Sequence, residues 1–159
     1  MTTIALDANG FIAADSLTTF GNERGRNAQT KIVRYGDVLY AFAGLTTAKH
    51  ALARWHSEGA DPDKQPKFGE NPDHEWTMLV IRASSPVLYY HAGSAYGMEI
   101  EPPFAIGSGG NFALGAMWAG SSAEEAVEIA THLDVKTGGK IQVVNIAEAL
   151  ANPLKEAAE

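Results

Sequence analysis

Short apolar runs separated by turn-forming residues dominate the first quarter of the chain. Residues 2–6 are β-branched or small and apolar, and residues 11–15 form a second, mostly apolar segment. Between them lies an Asp-Ala-Asn-Gly sequence, which is typical of a tight turn because Asn and Gly tolerate positive φ angles. Residues 31–34 and 38–43 repeat this pattern around a second turn. A polar segment that contains glycine, residues 16–30, separates the two pairs. The pattern predicts two antiparallel β-hairpins.

After Gly44 the apolar period changes from that of a strand to that of a helix. An amphipathic helix of about three turns, ending at Gly59, is predicted because apolar side chains recur three or four residues apart, at Leu45, Ala48, Leu52 and Trp55. Residues 60–75 carry three prolines and many charges, which predicts an exposed loop.

The second half returns to strands and then to helices. Residues 76–83 and 87–91 predict a further hairpin, and shorter strands are expected near 96–100 and 104–106. A helix over 111–119 follows the glycine-rich sequence that ends at Gly110.

One more helix and one more strand complete the predicted elements. A capping box at Ser122 and Glu125 predicts a helix that ends near residue 133. A last strand is expected over 141–146, and the structure of the Ala/Glu-rich tail at 146–159 is left open.

The order of the elements indicates the fold class. Strands are grouped apart from helices and joined by short links, which favours antiparallel sheets covered by helices over a repeated βαβ unit. A length of 159 residues and a hydrophobic fraction of 45% are typical of one globular domain, expected to span 1–159.

Composition excludes several classes of function. A net charge of −7 argues against a nucleic-acid partner, and no apolar run approaches the roughly 18 residues that cross a bilayer. Because cysteine is absent, disulfides and thiolate metal sites are excluded, and a cytoplasmic location is expected. The five histidines lack metal-ligand spacing, and the glycines at 107–110 do not match a phosphate-binding loop. Neither a metal nor a cofactor is therefore expected.

The start of the chain carries candidate chemistry. Met1 precedes Thr2, a small residue that permits removal of the initiator methionine. An N-terminal threonine holds a hydroxyl nucleophile and its own base, an α-amine with an ordinary pKa of about 7.7–8.0. Many chains begin with Met-Thr, so this feature alone is weak.

Motifs along the chain strengthen the hypothesis. The sequences MTTIALDANGFIAADS, TTFGN and KIVRYGDVLYAFAG resemble the start of proteasome β-subunits and of their bacterial relative HslV, with the same Asp-to-Lys spacing. Further on, AIGSGGNFALGA and LDVKTGGKIQVV resemble two later motifs of that family. The resemblance covers about residues 2–146, and its motifs occur in the family's order.

The resemblance implies a fold and a set of catalytic residues. The fold would be a four-layer α/β/β/α sandwich of the N-terminal nucleophile hydrolases, with one helical layer reduced because 60–75 is too short for the family's additional helix. Thr2 would be the nucleophile, and Lys31, held by Asp15, would supply positive charge beside it. Gly44 would donate its backbone N–H to the oxyanion.

Further residues are implied around the nucleophile and the substrate. Ser108, Asp134 and Thr137, where the family has Ser instead of Thr, would form a hydrogen-bonded cluster around the amine of Thr2. A second set would contact the peptide, namely Thr19, Phe42 and Thr46, with the bulk of Phe42 favouring small substrate side chains. The ordinary readings remain open: a surface ion pair for Asp15 and Lys31, and turn or cap hydrogen bonds for the cluster.

The function implied is that of a threonine-type endopeptidase in a self-compartmentalising homo-oligomeric ring, acting on polypeptides, with an ATPase unfoldase as a possible partner. Two alternatives stay open: a catalytically silent assembly or binding protein of the same fold, and an amidohydrolase for small amides. If Met1 is retained, the α-amine of Thr2 becomes an amide and cannot act as a base.

Overall fold

The computed structural model describes residues 2–70 and 75–152. The strands are β1 (Thr3–Leu6), β2 (Phe11–Ala14), β3 (Thr19–Phe20), β4 (Glu23–Arg24), β5 (Ile32–Tyr35), β6 (Val38–Gly44), β7 (Trp76–Arg82), β8 (Val87–His91), β9 (Met98–Ile100), β10 (Phe104–Gly107) and β11 (Gln142–Asn145). The helices are α1 (Lys49–Ser57), α2 (Gly110–Trp118), α3 (Ala123–Leu133) and α4 (Ile146–Ala151).

Two antiparallel sheets form the centre of the molecule. The first has the strand order β10-β1-β2-β11, and the second has the order β5-β6-β7-β8-β9. In the first sheet Thr3 lies opposite Gly107 on one side, and Ile4 lies opposite Ala14 on the other. Because β1 is a central strand with a neighbour on each side, the residues that begin it are not on an edge strand of the sheet.

Alternation of side chains along each strand builds four layers. In β1, Ile4 and Leu6 pack between the two sheets, whereas Ala5 packs against α2 and α3. In β6, Leu39 packs between the sheets, and Tyr40 packs toward α1. Since successive strand residues point to opposite faces, each sheet buries both of its faces. The expected antiparallel α/β/β/α sandwich is confirmed.

The two helical layers are unequal in the described residues. Two helices, α2 and α3, cover the first sheet, and their buried side chains are mostly alanines, which let the helices approach the strands closely. Over the second sheet lies α1, which buries Leu52, Trp55 and His56. No described helix has both the length and the apolar character needed to cross a membrane. The layer above the second sheet is the thinner one, as expected.

Several element boundaries differ from the predicted ones for local reasons. The helix expected from residue 45 begins with a 3₁₀ turn, Thr46–Ala48, before α1. In the predicted loop at 60–75, Pro62–Lys64 forms another 3₁₀ turn, and residues 71–74 lie outside the described part. The polar segment 16–30 contains the short β3–β4 hairpin.

The C-terminal tail, for which the sequence predicted no definite structure, begins with a helix. The side chain of Asn145 accepts a hydrogen bond from the Glu148 N–H and thereby caps α4. Residues 153–159 lie outside the described part.

Asp7 joins the first turn to a helix. Its Oδ1 accepts the N–H groups of Asn9 and Phe11, which closes the turn between β1 and β2. Its Oδ2 accepts the N–H of Ala123, 3.0 Å away, at the first residue of α3. The predicted capping box at Ser122 is present as well. These bonds hold the N-terminus of α3 against the end of β1.

Candidate active site

The first residues of β1 are buried at the centre of the candidate site. Thr2 is 1% exposed and Thr3 is fully buried. The N–H of Thr3 donates to Asp15 Oδ1 at 2.9 Å, and the N–H of Asp15 donates to the Thr3 carbonyl at 3.2 Å. Asp15 therefore lies directly across from the residue that follows the candidate nucleophile.

Lys31 and Asp15 form a buried ion pair. Lys31 Nζ lies 2.8 Å from Asp15 Oδ1 and donates also to the Leu17 carbonyl at 2.8 Å. The other oxygen, Asp15 Oδ2, accepts the N–H groups of Leu17 and Gly138. Burial lowers the pKa of Lys31, and the charge and hydrogen bond of Asp15 oppose this effect. The surface-pair interpretation is thus wrong, because both side chains are inaccessible to bulk water.

A second polar cluster lies on the other side of Thr3. Ser108 Oγ and Thr137 Oγ1 each donate to Asp134 Oδ2 at 2.6 Å. Ser108 Oγ is also 3.5 Å from the carbonyl oxygen of Thr2, the upper limit of a hydrogen bond. Partial burial alone raises the pKa of Asp134, but bonds from Ser108, Thr137 and the Lys136 N–H outweigh it, so the pKa lies below its usual value. The carboxylate is therefore ionised near neutral pH.

The loop that carries this cluster is tied to the ion pair. The Gly138 N–H donates to Asp15, and the Gly138 carbonyl accepts the N–H groups of Ser16 and Leu17. Thr137 Oγ1 lies 2.6 Å from Thr3 Oγ1. Thr3 therefore bonds to the ion pair through its backbone and to the hydroxyl cluster through its side chain.

Two glycines leave room for the start of β1. A Cβ added to Gly107, whose φ is +94°, would lie 1.9 Å from the Thr2 carbonyl oxygen. A Cβ added to Gly109 would lie 2.0 Å from Thr3 Oγ1. No side chain fits at either position without moving Thr2 or Thr3. Close packing against the start of β1 therefore explains why these two positions of the Gly-Ser-Gly-Gly sequence are glycine.

Gly44 ends β6 beside the same region. Its φ is +95°, and an added Cβ would lie 2.2 Å from the Glu75 carbonyl oxygen. Phe42 N–H bonds to Lys31 on one side of β6, and Leu45 N–H bonds to Glu75 on the other. Since N–H groups alternate along a strand, that of Gly44 points to the side of Lys31, beyond the last paired residues of β5.

Two clefts meet at Gly44. One has a volume of about 600 Å³, and its lining includes Gly44, Glu75, His91, Gly107 and Ser108. The other, of about 370 Å³, lies between the β3 region and the segment after β6, and its lining includes Thr19, Gly44, Thr46 and Lys136. Open space is therefore present on both sides of the candidate oxyanion donor.

The predicted specificity pocket is nearly closed. Phe42 and Thr46 line a cavity of about 10 Å³ together with Lys31 and Lys49. That volume holds at most about one water molecule. Phe42 is 5% exposed and packs under α1, so its ring occupies the space beside this cavity.

The ten residues predicted from sequence all lie in this neighbourhood, and their catalytic and binding roles stay predictions. Sequence reasoning missed Thr3, Gly109, the Leu17 carbonyl and the Gly138 N–H. For Thr3, the repeated threonine at positions 2 and 3 could have indicated a role. The backbone groups of Leu17 and Gly138 could not have been found, because nearly every residue type carries the same backbone carbonyl and N–H. In the described residues, no group of three metal-type side chains is close enough to hold an ion.

Comparison with solved structures gives the same fold. The eukaryotic HslV from Trypanosoma brucei matches with a TM-score of 0.69 and 23% identity, over 91% of this chain and 98% of that chain. Thiobacillus denitrificans BPH matches with a TM-score of 0.67 and 22% identity, over 91% and 96%. The same protein in complex with epoxomicin matches with a TM-score of 0.68 and 22% identity, over 91% and 97%. No protein-family model and no curated sequence matches the chain. The expected resemblance is confirmed at the level of the fold.

Proposed function

We propose that this protein is a threonine-type endopeptidase in which Thr2 is the nucleophile after removal of Met1. One observation carries the proposal: Asp15 Oδ1 accepts both the Lys31 ammonium and the N–H of Thr3. A buried cation is thereby anchored to the residue that follows Thr2. A positive charge at this place favours the neutral form of a free α-amine and a more acidic hydroxyl.

The reaction would proceed by acyl transfer. Thr2 Oγ1 forms a bond to the scissile carbonyl carbon, and its proton passes, through a water molecule, to the α-amine of Thr2. The N–H of Gly44 stabilises the oxyanion. When the C–N bond breaks, the leaving amine takes the proton, and water then hydrolyses the Thr2 ester. Ser108, Asp134 and Thr137 hold the amine and the water in position.

An extended polypeptide is the substrate that fits the site best. Clefts of about 600 Å³ and 370 Å³ lie on the two sides of Gly44, which suits a chain that continues beyond both ends of the cleaved bond. Thr19 and the backbone after Gly44 face the second cleft and would hold the peptide as an added strand. A small amide would leave both clefts empty, so this geometry favours peptides over the small-amide alternative.

The cavity beside Phe42 indicates the preferred substrate residue. Because only about 10 Å³ is open there, glycine, alanine or serine would fit at the position whose carbonyl is attacked. Bulky residues would have to displace the Phe42 ring. This preference is part of the proposal.

Assembly into a homo-oligomeric ring is proposed as well. Large apolar side chains remain exposed on the α2–α3 side of the molecule, with Trp118 75% and Leu133 57% exposed. Such side chains are often covered in an assembly. We place the assembly in the cytoplasm, because the chain has no cysteine, and an ATPase unfoldase that delivers polypeptides would complete the system.

The silent alternative depends on whether Met1 is removed. A retained Met1 would leave the nitrogen of Thr2 as an amide without basicity. The protein would then keep the fold and assemble, but would not cleave peptides.

The intact mass of the purified protein, before and after a peptide epoxyketone is added, tests the proposal. We expect a mass without Met1 and one covalent adduct, because this probe needs both the hydroxyl and the free amine of an N-terminal threonine. The matched control is Thr2→Ala, which should lose Met1 and form no adduct. A retained Met1 without adduct would support the silent alternative, and an adduct on Thr2→Ala would exclude Thr2 as the nucleophile.

A further inference from the structure

The hydroxyl of Thr3 is a buried polar group that the proposed mechanism does not use. Thr3 is fully buried, and its Oγ1 lies 2.6 Å from Thr137 Oγ1, which is fully buried too. Thr3 lines neither of the two clefts described above. Because this hydroxyl is engaged with Thr137, it can act through that neighbour.

Counting protons fixes the direction of these hydrogen bonds. The ionised carboxylate of Asp134 can only accept, so Thr137 must use its single hydroxyl proton in the 2.6 Å bond to Asp134 Oδ2. Thr137 has no second proton for Thr3. The proton between the two threonines must come from Thr3, which donates to Thr137, which in turn donates to Asp134.

The same carboxylate oxygen receives the hydroxyl of Ser108. Ser108 Oγ donates to Asp134 Oδ2 at 2.6 Å and lies 3.5 Å from the Thr2 carbonyl oxygen. Since the proton of Ser108 is engaged, its oxygen keeps lone pairs that can accept from an amine or a water at Thr2. The hydrogen bonds thus connect Thr3 through Thr137 to Asp134, which also accepts from Ser108, the residue that faces Thr2.

The absence of a side chain at Gly109 leaves room for the hydrogen bond between Thr3 and Thr137. A Cβ there would lie 2.0 Å from Thr3 Oγ1 and 2.9 Å from Thr137 Oγ1. Even alanine would push the two hydroxyls apart. The glycine at this position is therefore explained by the hydroxyl pair and not by its backbone angle, since its φ is −91°.

We propose that Thr3 is a positioning residue for the reaction of Thr2, acting by donating its hydroxyl proton to Thr137 and so holding Thr137 and Asp134 in the orientation that orders Ser108. This inference rests on the proposed function, because the reaction it serves is that of Thr2. Bonds in such a chain polarise and strengthen one another in a buried setting.

Removal of the hydroxyl has a specific consequence. In Thr3→Val the methyl group takes the place of Oγ1, and Thr137 loses its donor. Its own bond to Asp134 weakens, so the pKa of Asp134 rises and the orientation of Ser108 loosens. The other charged groups near Asp134 stay the same: Lys136 on the same loop, and the Asp15–Lys31 pair beyond Thr3.

The test compares Thr3→Val with Thr3→Ser, which keeps the hydroxyl. Peptide hydrolysis by the assembled protein gives kcat and KM, and intact mass checks that Met1 is removed from each variant. We expect Thr3→Val to lower kcat about tenfold with KM within about twofold of the parent value, because an interaction is lost in the reaction and not in binding. Thr3→Ser should keep kcat within about threefold.

A second readout does not depend on activity. The ¹³C shift of the Asp134 carboxyl, assigned with Asp134→Asn, reports its pKa in the parent protein and in both variants. We expect the pKa to rise in Thr3→Val and to stay near the parent value in Thr3→Ser.

The two readouts separate this inference from the proposed function. A parent protein that reacts with the epoxyketone, together with unchanged kcat and Asp134 pKa in Thr3→Val, would overturn the role of Thr3 alone. Equal losses in Thr3→Ser and Thr3→Val would also overturn it, because packing and not the hydroxyl would then be responsible. If the parent protein does not react, the proposed function fails, and the positioning role, which serves that reaction, fails with it, even where the carboxyl titration still reports the hydrogen bond.

Discussion

Asp15 and Lys31 form an ion pair whose two side chains, 0% and 3% exposed, have unequal support from the rest of the protein. Among the described residues, the carboxylate accepts three backbone N–H groups besides Lys31, whereas the ammonium has one other partner, the Leu17 carbonyl. Each charge would be costly if left alone in the interior. Without the lysine, the carboxylate would retain its three backbone N–H partners. Without the carboxylate, the ammonium would retain the Leu17 carbonyl and no negatively charged partner in the described part of the chain.

This asymmetry predicts that Asp15→Asn destabilises the protein more than Lys31→Met does. We expect Asp15→Asn to lower the free energy of unfolding by about 3–5 kcal/mol, and Lys31→Met by about 1–3 kcal/mol. Both variants should lose peptidase activity, because the cation beside Thr2 is displaced or removed. Urea unfolding and peptide hydrolysis provide the two measurements. Equal losses of stability would show that the backbone N–H groups do not sustain the carboxylate.

Gly44→Ala should be far more damaging than the same replacement at a glycine of positive φ that has open space around it. Gly44 has a positive φ, and its Cβ would meet the Glu75 carbonyl oxygen at 2.2 Å. Gly36, with φ +60° and nothing within 4 Å of an added Cβ, is the matched control. We expect Gly36→Ala to cost about 1 kcal/mol and to remain active. Gly44→Ala should cost several times more and lose activity. Similar melting temperatures for the two variants would refute the steric argument.

Enlarging the cavity beside Phe42 should change the substrate preference. We expect the parent protein to cleave after alanine faster than after leucine, and Phe42→Val to raise kcat/KM for leucine relative to alanine by about tenfold or more. Phe42 is almost fully buried, so this variant should also lose roughly 1–3 kcal/mol of stability. Hydrolysis of two peptides that differ only at this residue gives the ratio. An unchanged ratio would place the specificity pocket elsewhere.

His56 should make the stability of the protein depend on pH. Burial, aided by the positive charge of Arg82, lowers the pKa of His56, whose Nδ1 lies 2.8 Å from the hydroxyl of Tyr40. Because the unfolded chain, with a pKa of about 6.5, binds the proton more readily, this stability is complete above that pH and decreases as the pH falls toward the lower folded pKa.

The expected result is a melting temperature that falls by a few degrees between pH 7.5 and 5.5 in the parent protein, and by less in His56→Gln. Glutamine keeps a polar partner for Tyr40 and does not titrate. Calorimetry at both pH values makes the comparison, and parallel curves for the two proteins would assign the pH dependence to other groups.

Assembly should depend on the apolar side chains left exposed on the α2–α3 side. We expect sedimentation of the parent protein to show a homo-oligomer, and Leu133→Glu to shift it toward smaller species, because a charge there opposes burial. Tyr96→Glu changes a side chain that is 78% exposed and follows β8 at the second sheet. This control should keep the parent mass. A monomeric parent protein would contradict the proposed assembly.

The order of the elements follows from local patterns, and for that reason it was predictable. The apolar run at residues 38–43 and the helical spacing from Leu45 to Trp55 reflect which positions are buried, and the structure has a strand and a helix there. The capping box at Ser122 is likewise local. Element ends were less accurate, since they depend on neighbours, as at α4, whose carbonyls contact Arg34 from the second sheet.

The sequence by itself determined the fold class and the candidate residues, because motifs with fixed spacing, such as the one from Asp15 to Lys31, can be recognised from residue types and their order alone. Only the tertiary structure decided that this pair is buried, that Thr3 joins it to Thr137 across 134 positions, and that Gly109 leaves space for that contact. These facts depend on distances between segments remote in the chain and on backbone N–H and carbonyl groups that every residue carries. No pattern of side chains encodes them, so the folded chain is needed to place them.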